Sequence, residues 1–573
     1  MGMVKHRVVL GILVVSFFAC ILWNGFCGDD NFLFVNNSFY KNPSNIARIF
    51  RPGYNVAPED VQYGDAADKG TGSVGYRPVT TMSFFMDSFI WKDNPAGYHL
   101  TSILWHLANV FLLYEIAVVV AGPQVAFITA LIFGIHPVNT EAVAAIGYRS
   151  DLLACFFLLA ALLAWLSLRR DGSWRCAAIS YTGYFFALFS KETALLFPCV
   201  IFFIDRVNFS AFIPQDRRNR YLPFLVIALF YLYIYYYVFP NTAFVYAPQI
   251  ADGYEGHVTV FIQIVALYLK EIFFVFSAGV MPALYWPLPR PLFSPAMIFQ
   301  GVLVAGAGGL LLAMILRRGK YSWAALWGLV FFLPALIFWV NPNPAALRYV
   351  YVPFAGLAFL AALGLVHVWG RCRDRLSPSM RVFLGFVGVV SLGLPAVSSN
   401  LVWRNNFTVA DAWVKAYPEH YMGYGVKGTE FFKHKKYKEA AENLGLALQD
   451  PRCTNQIFDY QLGFSYLSEG RREEAKSTFE GLMAKAPFSD RGYAGMAHYY
   501  YASKQHALAV PYLQRAFALH DTDDNAENLL KALDRTQGAS GLEKGLQMVR
   551  RVWGDGPRLE KLRESLRDRR KLR

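Results

Sequence analysis

The stretch GDDNFLFVNN sets two acids side by side, Asp29 and Asp30, directly after an apolar run that opens near Val8. An exposed surface turn would account for them cheaply. Further along, ionisable residues recur in or beside apolar runs, where each is costly unless paired or wet. GYHLTSILWH carries His99 and His106, seven residues apart and so on one helix face. HPVNTEAVAAIGYRSD brings His136, Glu141, Arg149 and Asp151, and SKET brings Lys191 and Glu192. NPAALRYVYVP brings Arg348 and Tyr349, and GYRPVTT carries Arg77. Carboxylates and imidazoles can move protons, and guanidinium and ammonium groups can hold anions. Taken singly, each residue also has a bland reading. A histidine can satisfy a neighbouring carbonyl, and Arg149 can pair with Asp151. That reading does not explain why so many gather on one side.

The sides follow from the frame that must carry these residues. The chain has 573 residues, of which 55% are hydrophobic, 16% aromatic and only 17% charged, which is not a soluble profile. Apolar runs up to about residue 402 can each cross a hydrocarbon core roughly 30 Å thick. Spans are expected near 8–27, 98–120, 125–140, 150–168, 176–190, 192–205, 221–239, 296–316, 321–340, 350–369 and 381–402. The first run follows Lys5, His6 and Arg7 and meets no small-x-small cleavage site, so it is expected to be an uncleaved anchor. The Arg/Lys-rich breaks at 169–175, 206–220, 317–320 and 371–375 mark the cytoplasmic side. The N-terminus is then inside. The loops with Asp29 and Asp30, Glu141, Lys191 and Arg348 lie outside, as does everything beyond the eleventh span.

Two segments stand apart. Residues 258–279 are long enough to cross, but they carry Lys270 and Glu271 mid-run, and a further crossing would put the 317–320 bases on the wrong side. A re-entrant or interfacial helical segment is expected there. The loop 28–97 is too long for a connector and should fold over the outer mouth of the bundle. The seven cysteines show neither a disulfide framework nor CxxC spacing, which leaves a packing role.

After a linker at 403–418 the chain becomes periodic. Gly428, Gly463 and Ala497 correspond at intervals of 35 and 34, as do Ala440, Ala475 and Ala509, and Leu444, Phe479 and Leu513. Small residues at such intervals let paired helices approach closely, which is the tetratricopeptide signature. Residues 419–536 are therefore expected to form such repeats with a capping helix, and 537–573 a basic helical tail that is solvated or lies against anionic lipid.

The motifs GDDNFLFVNN, YRPVTTMSF, GYHLTSILWH, HPVNTEAVAAIGYRSDLL, LFSKETALLFP, RYVYVPFAGLAF and WRNNFTVADAW, in this order and followed by the repeats, resemble the transmembrane and tetratricopeptide repeat-containing (TMTC) family of the GT-C superfamily. The resemblance implies an all-α fold: a polytopic GT-C-type bundle over 1–402, with about eleven spans, and a C-terminal repeat solenoid. It implies a glycosyltransferase that moves a sugar from a polyprenyl phosphate to a hydroxyl, the expected acceptor being Ser or Thr of exported proteins, as in O-mannosyl transfer. Rival readings put a glycolipid or a surface polysaccharide in the acceptor's place, or make the chain a non-catalytic envelope scaffold with a peptide-binding repeat domain. By position, Asp30 is the expected base and Asp29 its partner, or a ligand of a divalent metal (Mg or Mn) where one is used. Arg77 is the first choice for the donor phosphate, with Arg149, Lys191 and Arg348 behind it. His99, His106, His136, Glu141, Glu192 and Tyr349 are further site candidates. Expected partners are the lipid bilayer, the lipid-linked sugar and an exported protein or peptide held by the repeats, with no nucleic acid. The short array favours a bacterial inner membrane with periplasmic repeats over the endoplasmic reticulum.

Overall fold

The computed structural model describes residues 2–35, 39–50, 76–207, 218–238, 253–277, 290–319, 321–336 and 345–571, and among them every regular element is helical. Residues 36–38 and 51–75 of the first outer loop lie outside the described residues. Proline sets many helix starts. Pro78–Trp91, Pro95–Ala121, Pro123–Ile135, Pro295–Leu316 and Pro378–Val402 all open on it, at a position where the missing N–H has no intrahelical partner to lose. Asn94, Ser294 and Ser377 precede three of them and accept a first-turn N–H. Gly122, at φ +86°, makes the reversal between Pro95–Ala121 and Pro123–Ile135, in a region where a side chain would be strained.

The chain divides into two compact units, with the boundary between Val409 and Ala410. In the first, seven helices among the described residues are long and apolar enough to cross a bilayer, or eight if the bent pair Pro123–Ile135 and Pro137–Ala144 counts as one span. Pro295–Leu316 and Pro378–Val402 expose Val302, Leu303, Leu310, Val382, Phe383 and Phe386, a surface that hydrocarbon rather than water would cover. The protein is a multi-pass membrane protein. Among the described residues, fewer helices reach crossing length than the eleven expected spans. Trp174–Leu188 has 15 residues and Phe197–Val207 has 11, separated by the SKET break. Conversely, the segment expected to be re-entrant or interfacial forms one unbroken helix, Gly253–Phe273. Its two charges need no break. Glu271 turns inward with 1% of its side chain exposed, while Lys270 stays 52% exposed with Nζ 3.7 Å away.

The second unit begins within the helix Asn406–Ala416, so the expected linker is largely helical. Val409, Ala410 and Trp413 recur at helical spacing and are buried. Three helix pairs follow: Tyr421–Lys433 with Tyr437–Leu448, Gln456–Ser468 with Arg472–Lys485, and Asp490–Ala502 with His506–Leu519. A Cβ on Gly428 would come 2.7 Å from Leu444, and one on Gly463 2.5 Å from Phe479. The absent side chains therefore set the helix spacing. Each pair turns through one left-handed residue, Lys435, Gly470 and Lys504, again 35 and 34 apart. The expected boundary at 536 falls inside the helix Asp523–Trp553, which kinks at Gly538. The basic tail is not a solvated helix, because Leu559 and Leu562 bury themselves with Ala509, Leu513, Leu529 and Leu533.

Candidate functional site

The acidic turn opens at Gly28, whose φ of +57° reverses the chain just past the first span and whose N–H donates to Asn406 Oδ1 at 2.7 Å. Reversal at this point sends the two aspartates to different surroundings. Asp30 is 1% exposed. Its Oδ1 accepts the Gly147 N–H at 2.7 Å and its Oδ2 the Cys27 N–H at 3.3 Å. Burial pushes its carboxyl up to about 7, against those N–H bonds and with help from the neighbouring charge of Asp29. Asp29 remains partly exposed, and its Oδ2 accepts the Tyr148 hydroxyl at 3.2 Å. The roles expected for the two acids thus meet opposite environments. Asp30 fastens the turn, and Asp29 is the more exposed of the two carboxylates.

Each of the four expected cations faces an acid. Arg77, just ahead of Pro78–Trp91, offers Nε and Nη2 in parallel to Glu192 at 3.0 and 2.6 Å. Burial would lower the Arg77 guanidinium, but Glu192 outweighs it and the net shift is upward. Burial would likewise raise Glu192, and Arg77 brings it down to about 2. The segment is held in place by Val79 N–H to the Phe189 carbonyl and Thr80 Oγ1 to the Ser190 carbonyl, each at 3.1 Å. Lys191 Nζ donates to Asp151 at 2.6 Å. Arg348 pairs with Glu141 through both its guanidinium and, at 3.1 Å, its backbone N–H. Arg149 is fully buried 2.5 Å from Asp87 and also donates to the Tyr98 carbonyl at 2.9 Å.

Three of these pairs form a chain of contacts with Asp29. The Tyr148 ring lies 3.8 Å from the Arg348 Cζ, and Tyr349 stacks against Arg348 at 4.9 Å and Lys191 at 5.2 Å. Glu192, next to Lys191 in sequence, continues the chain to Arg77. Arg149 belongs to a different contact set, with Asp87, Tyr98 and Phe84. His106 and His136 do not join either. A carbonyl can only accept, so His106 donates through Nε2 to Gly134 at 3.0 Å and takes the Tyr351 hydroxyl on Nδ1 at 2.7 Å. His136 accepts the Val138 N–H and donates to the Ile272 carbonyl, both at 3.1 Å. His99 is wholly buried in Pro95–Ala121. Tyr148 and Asp87 are the residues that sequence reasoning passed over; Tyr148 stood in the GYRSD motif, but nothing local singled out its hydroxyl.

Both Asp30 oxygens already accept backbone N–H groups, and among the described residues no three His, Cys, Asp or Glu side chains converge.

No family model matches the chain. Sequence comparison finds a protein O-mannosyl-transferase of Caenorhabditis elegans, 24% identical over 378 residues, which are 63% of this chain and 51% of that protein. Protein O-mannosyl-transferase TMTC1 of Mus musculus is 38% identical over 117 residues, 20% of this chain and 12% of its own length. TMTC3 of Mus musculus is 27% identical over 157 residues, 27% and 16% respectively. The chain spans about half the length of the first of these relatives and less of the others. Among solved structures, the archaeal oligosaccharyltransferase AglB of Archaeoglobus fulgidus matches with a TM-score of 0.41 at 13% identity, over 72% of this chain and 58% of that one. ArnT of Cupriavidus metallidurans matches with 0.35 at 14% identity, over 83% and 79%. Fold and site together define a polytopic, all-helical membrane protein with an acid–cation cluster. Its sequence is similar to those of protein O-mannosyl-transferases, TMTC1 and TMTC3 among them.

Proposed function

We propose that the protein is a membrane glycosyltransferase of GT-C type that moves a sugar, by its relatives' names mannose, from a polyprenyl phosphate to a Ser or Thr hydroxyl of an exported protein. The observation that carries this reading is the contact chain from a partly exposed carboxylate, Asp29, to Arg348, Lys191 and Arg77. Such a transfer needs a base for the acceptor proton and positive charge for the departing phosphate. Asp29 takes the proton. The acceptor oxygen bonds to the anomeric carbon, and the carbon–oxygen bond to phosphate breaks with its electron pair leaving on the phosphate. Arg77, with 26% of its side chain exposed, is more open than Lys191 or Arg348, at 6 and 9%. It receives the phosphate by exchanging one bidentate partner, Glu192, for another. Arg149, buried against Asp87, instead holds the first-loop helix.

The helix pairs after Val409 are read as tetratricopeptide repeats that grip an extended segment of the acceptor protein. The membrane is read as a bacterial inner membrane, with the site and the repeats on the periplasmic side. The test is transfer from undecaprenyl phosphate mannose to a Ser/Thr-rich peptide in liposomes, together with mass spectrometry of exported proteins for a lost hexose. No transfer by the intact protein from any polyprenyl phosphate sugar would overturn the reading. One observation favours a non-catalytic scaffold: every expected cation already has an acid beside it. On that reading Asp29→Asn changes no glycan.

A further inference from the structure

The carboxylate and a cation of this site meet on a single side chain. Tyr148 donates its hydroxyl to Asp29 Oδ2 at 3.2 Å, and the face of its ring lies 3.8 Å from the Arg348 Cζ. Its own place is fixed from both sides. It closes the Ile146–Tyr148 turn, whose Gly147 N–H is held by Asp30 at 2.7 Å, and the next residue is Arg149, anchored on Asp87 at 2.5 Å. A donor on a carboxylate sets which oxygen faces an incoming group. A ring under a guanidinium holds the cation by its face and leaves its in-plane N–H groups directed at anions.

We infer that Tyr148 is a positioning residue that couples the two halves of the transfer. Its hydroxyl aims Asp29 at the acceptor alcohol, and its ring keeps Arg348 where charge develops on the departing phosphate. The inference rests on the reading of Asp29 as the base. Tyr148 acts through its two neighbours and touches no reacting atom.

The test uses the full-length protein in liposomes with undecaprenyl phosphate mannose and a Ser/Thr-rich peptide. Tyr148→Phe removes the hydroxyl and keeps the ring; Tyr148→Leu removes both. The Phe variant is expected to lose about tenfold in kcat with the donor KM unchanged, the scale of one hydrogen bond to a charged group. The Leu variant is expected to show the same kcat loss and a donor KM raised roughly threefold or more. Combined with Asp29→Asn, Tyr148→Phe should cost nothing further. A wild-type kcat for Tyr148→Phe beside an inactive Asp29→Asn would overturn the coupling and leave the base in place. An active Asp29→Asn would overturn the reading beneath it. Should Tyr148→Leu fail to fold, the isosteric Phe variant still decides.

Discussion

At the scale of single residues, the question is which of two adjacent acids does chemistry. Asp30 holds two backbone N–H groups, and Asp29 holds one phenol and is partly exposed. Asp29→Asn is therefore expected to cut transfer by about a hundredfold or more while the melting midpoint in detergent stays put. Asp30→Asn should behave differently. An amide accepts on one side only, so one buried N–H loses its acceptor at a cost of about 1–3 kcal/mol, and the midpoint should fall along with the rate. Thermal unfolding of the two variants side by side separates the roles. The same geometry sets a pH dependence. With Asp30 at about 7, the turn carries its full charge only above neutrality, so transfer should rise between pH 6 and 8. The inflection should vanish in Asp30→Asn. Glu192, near 2, stays ionised throughout that window and cannot produce it. On the folding equilibrium the shift acts oppositely. A carboxyl that ionises near 4 when unfolded and near 7 when folded favours folding at low pH, and that contribution is lost as pH rises through about 7.

At the scale of elements, backbone geometry makes its own demands. Gly538 sits at φ +63° and ψ −144° within Asp523–Trp553, a conformation open essentially to glycine alone. Gly538→Ala should destabilise the second unit by about 1–3 kcal/mol, read as a lower urea midpoint for that transition. Unchanged stability would mean the kink is not required. Much at this scale was legible in the sequence because it depends on local spacing. The intervals of 35 and 34 that align Gly428, Gly463 and Ala497 reappear in the left-handed turns at Lys435, Gly470 and Lys504. The prolines at 78, 95, 123, 295 and 378 open helices and would have placed those starts, a signal the expected span bounds did not use. What stayed hidden was pairing across long separations. Arg149 has Asp151 two residues away, yet it meets Asp87 instead, because the first-loop helix packs where a neighbour on its own helix cannot reach. For the same reason Glu271, which looked prohibitive in mid-run, found a buried place without breaking its helix. The opposite surroundings of Asp29 and Asp30 depend on Gly147, a residue 117 positions away from Asp30.

At the scale of the whole molecule, the two units differ in composition. Every residue proposed to handle the lipid-linked donor precedes Val409, as does, among the described residues, every helix long and apolar enough to cross a bilayer. Beyond Ala410, the packed clusters around Phe479 and around Leu513 and Leu529 draw only on residues of the second unit. If donor handling is local to the first unit, a chain ending at Val409 should bind undecaprenyl phosphate in detergent within about twofold of the full-length affinity, since distant, independent sites contribute additively. The same truncated chain should lose protein acceptors much more than a free short peptide, because repeat arrays add affinity for extended chain without touching the reacting atoms. The segment 410–573 expressed alone should remain in solution without membranes and bind no undecaprenyl phosphate. Donor affinity that collapses on truncation, in a protein that still melts cooperatively, would place part of the phosphate site in the repeats and dismantle the assignment of Arg77 and Arg348.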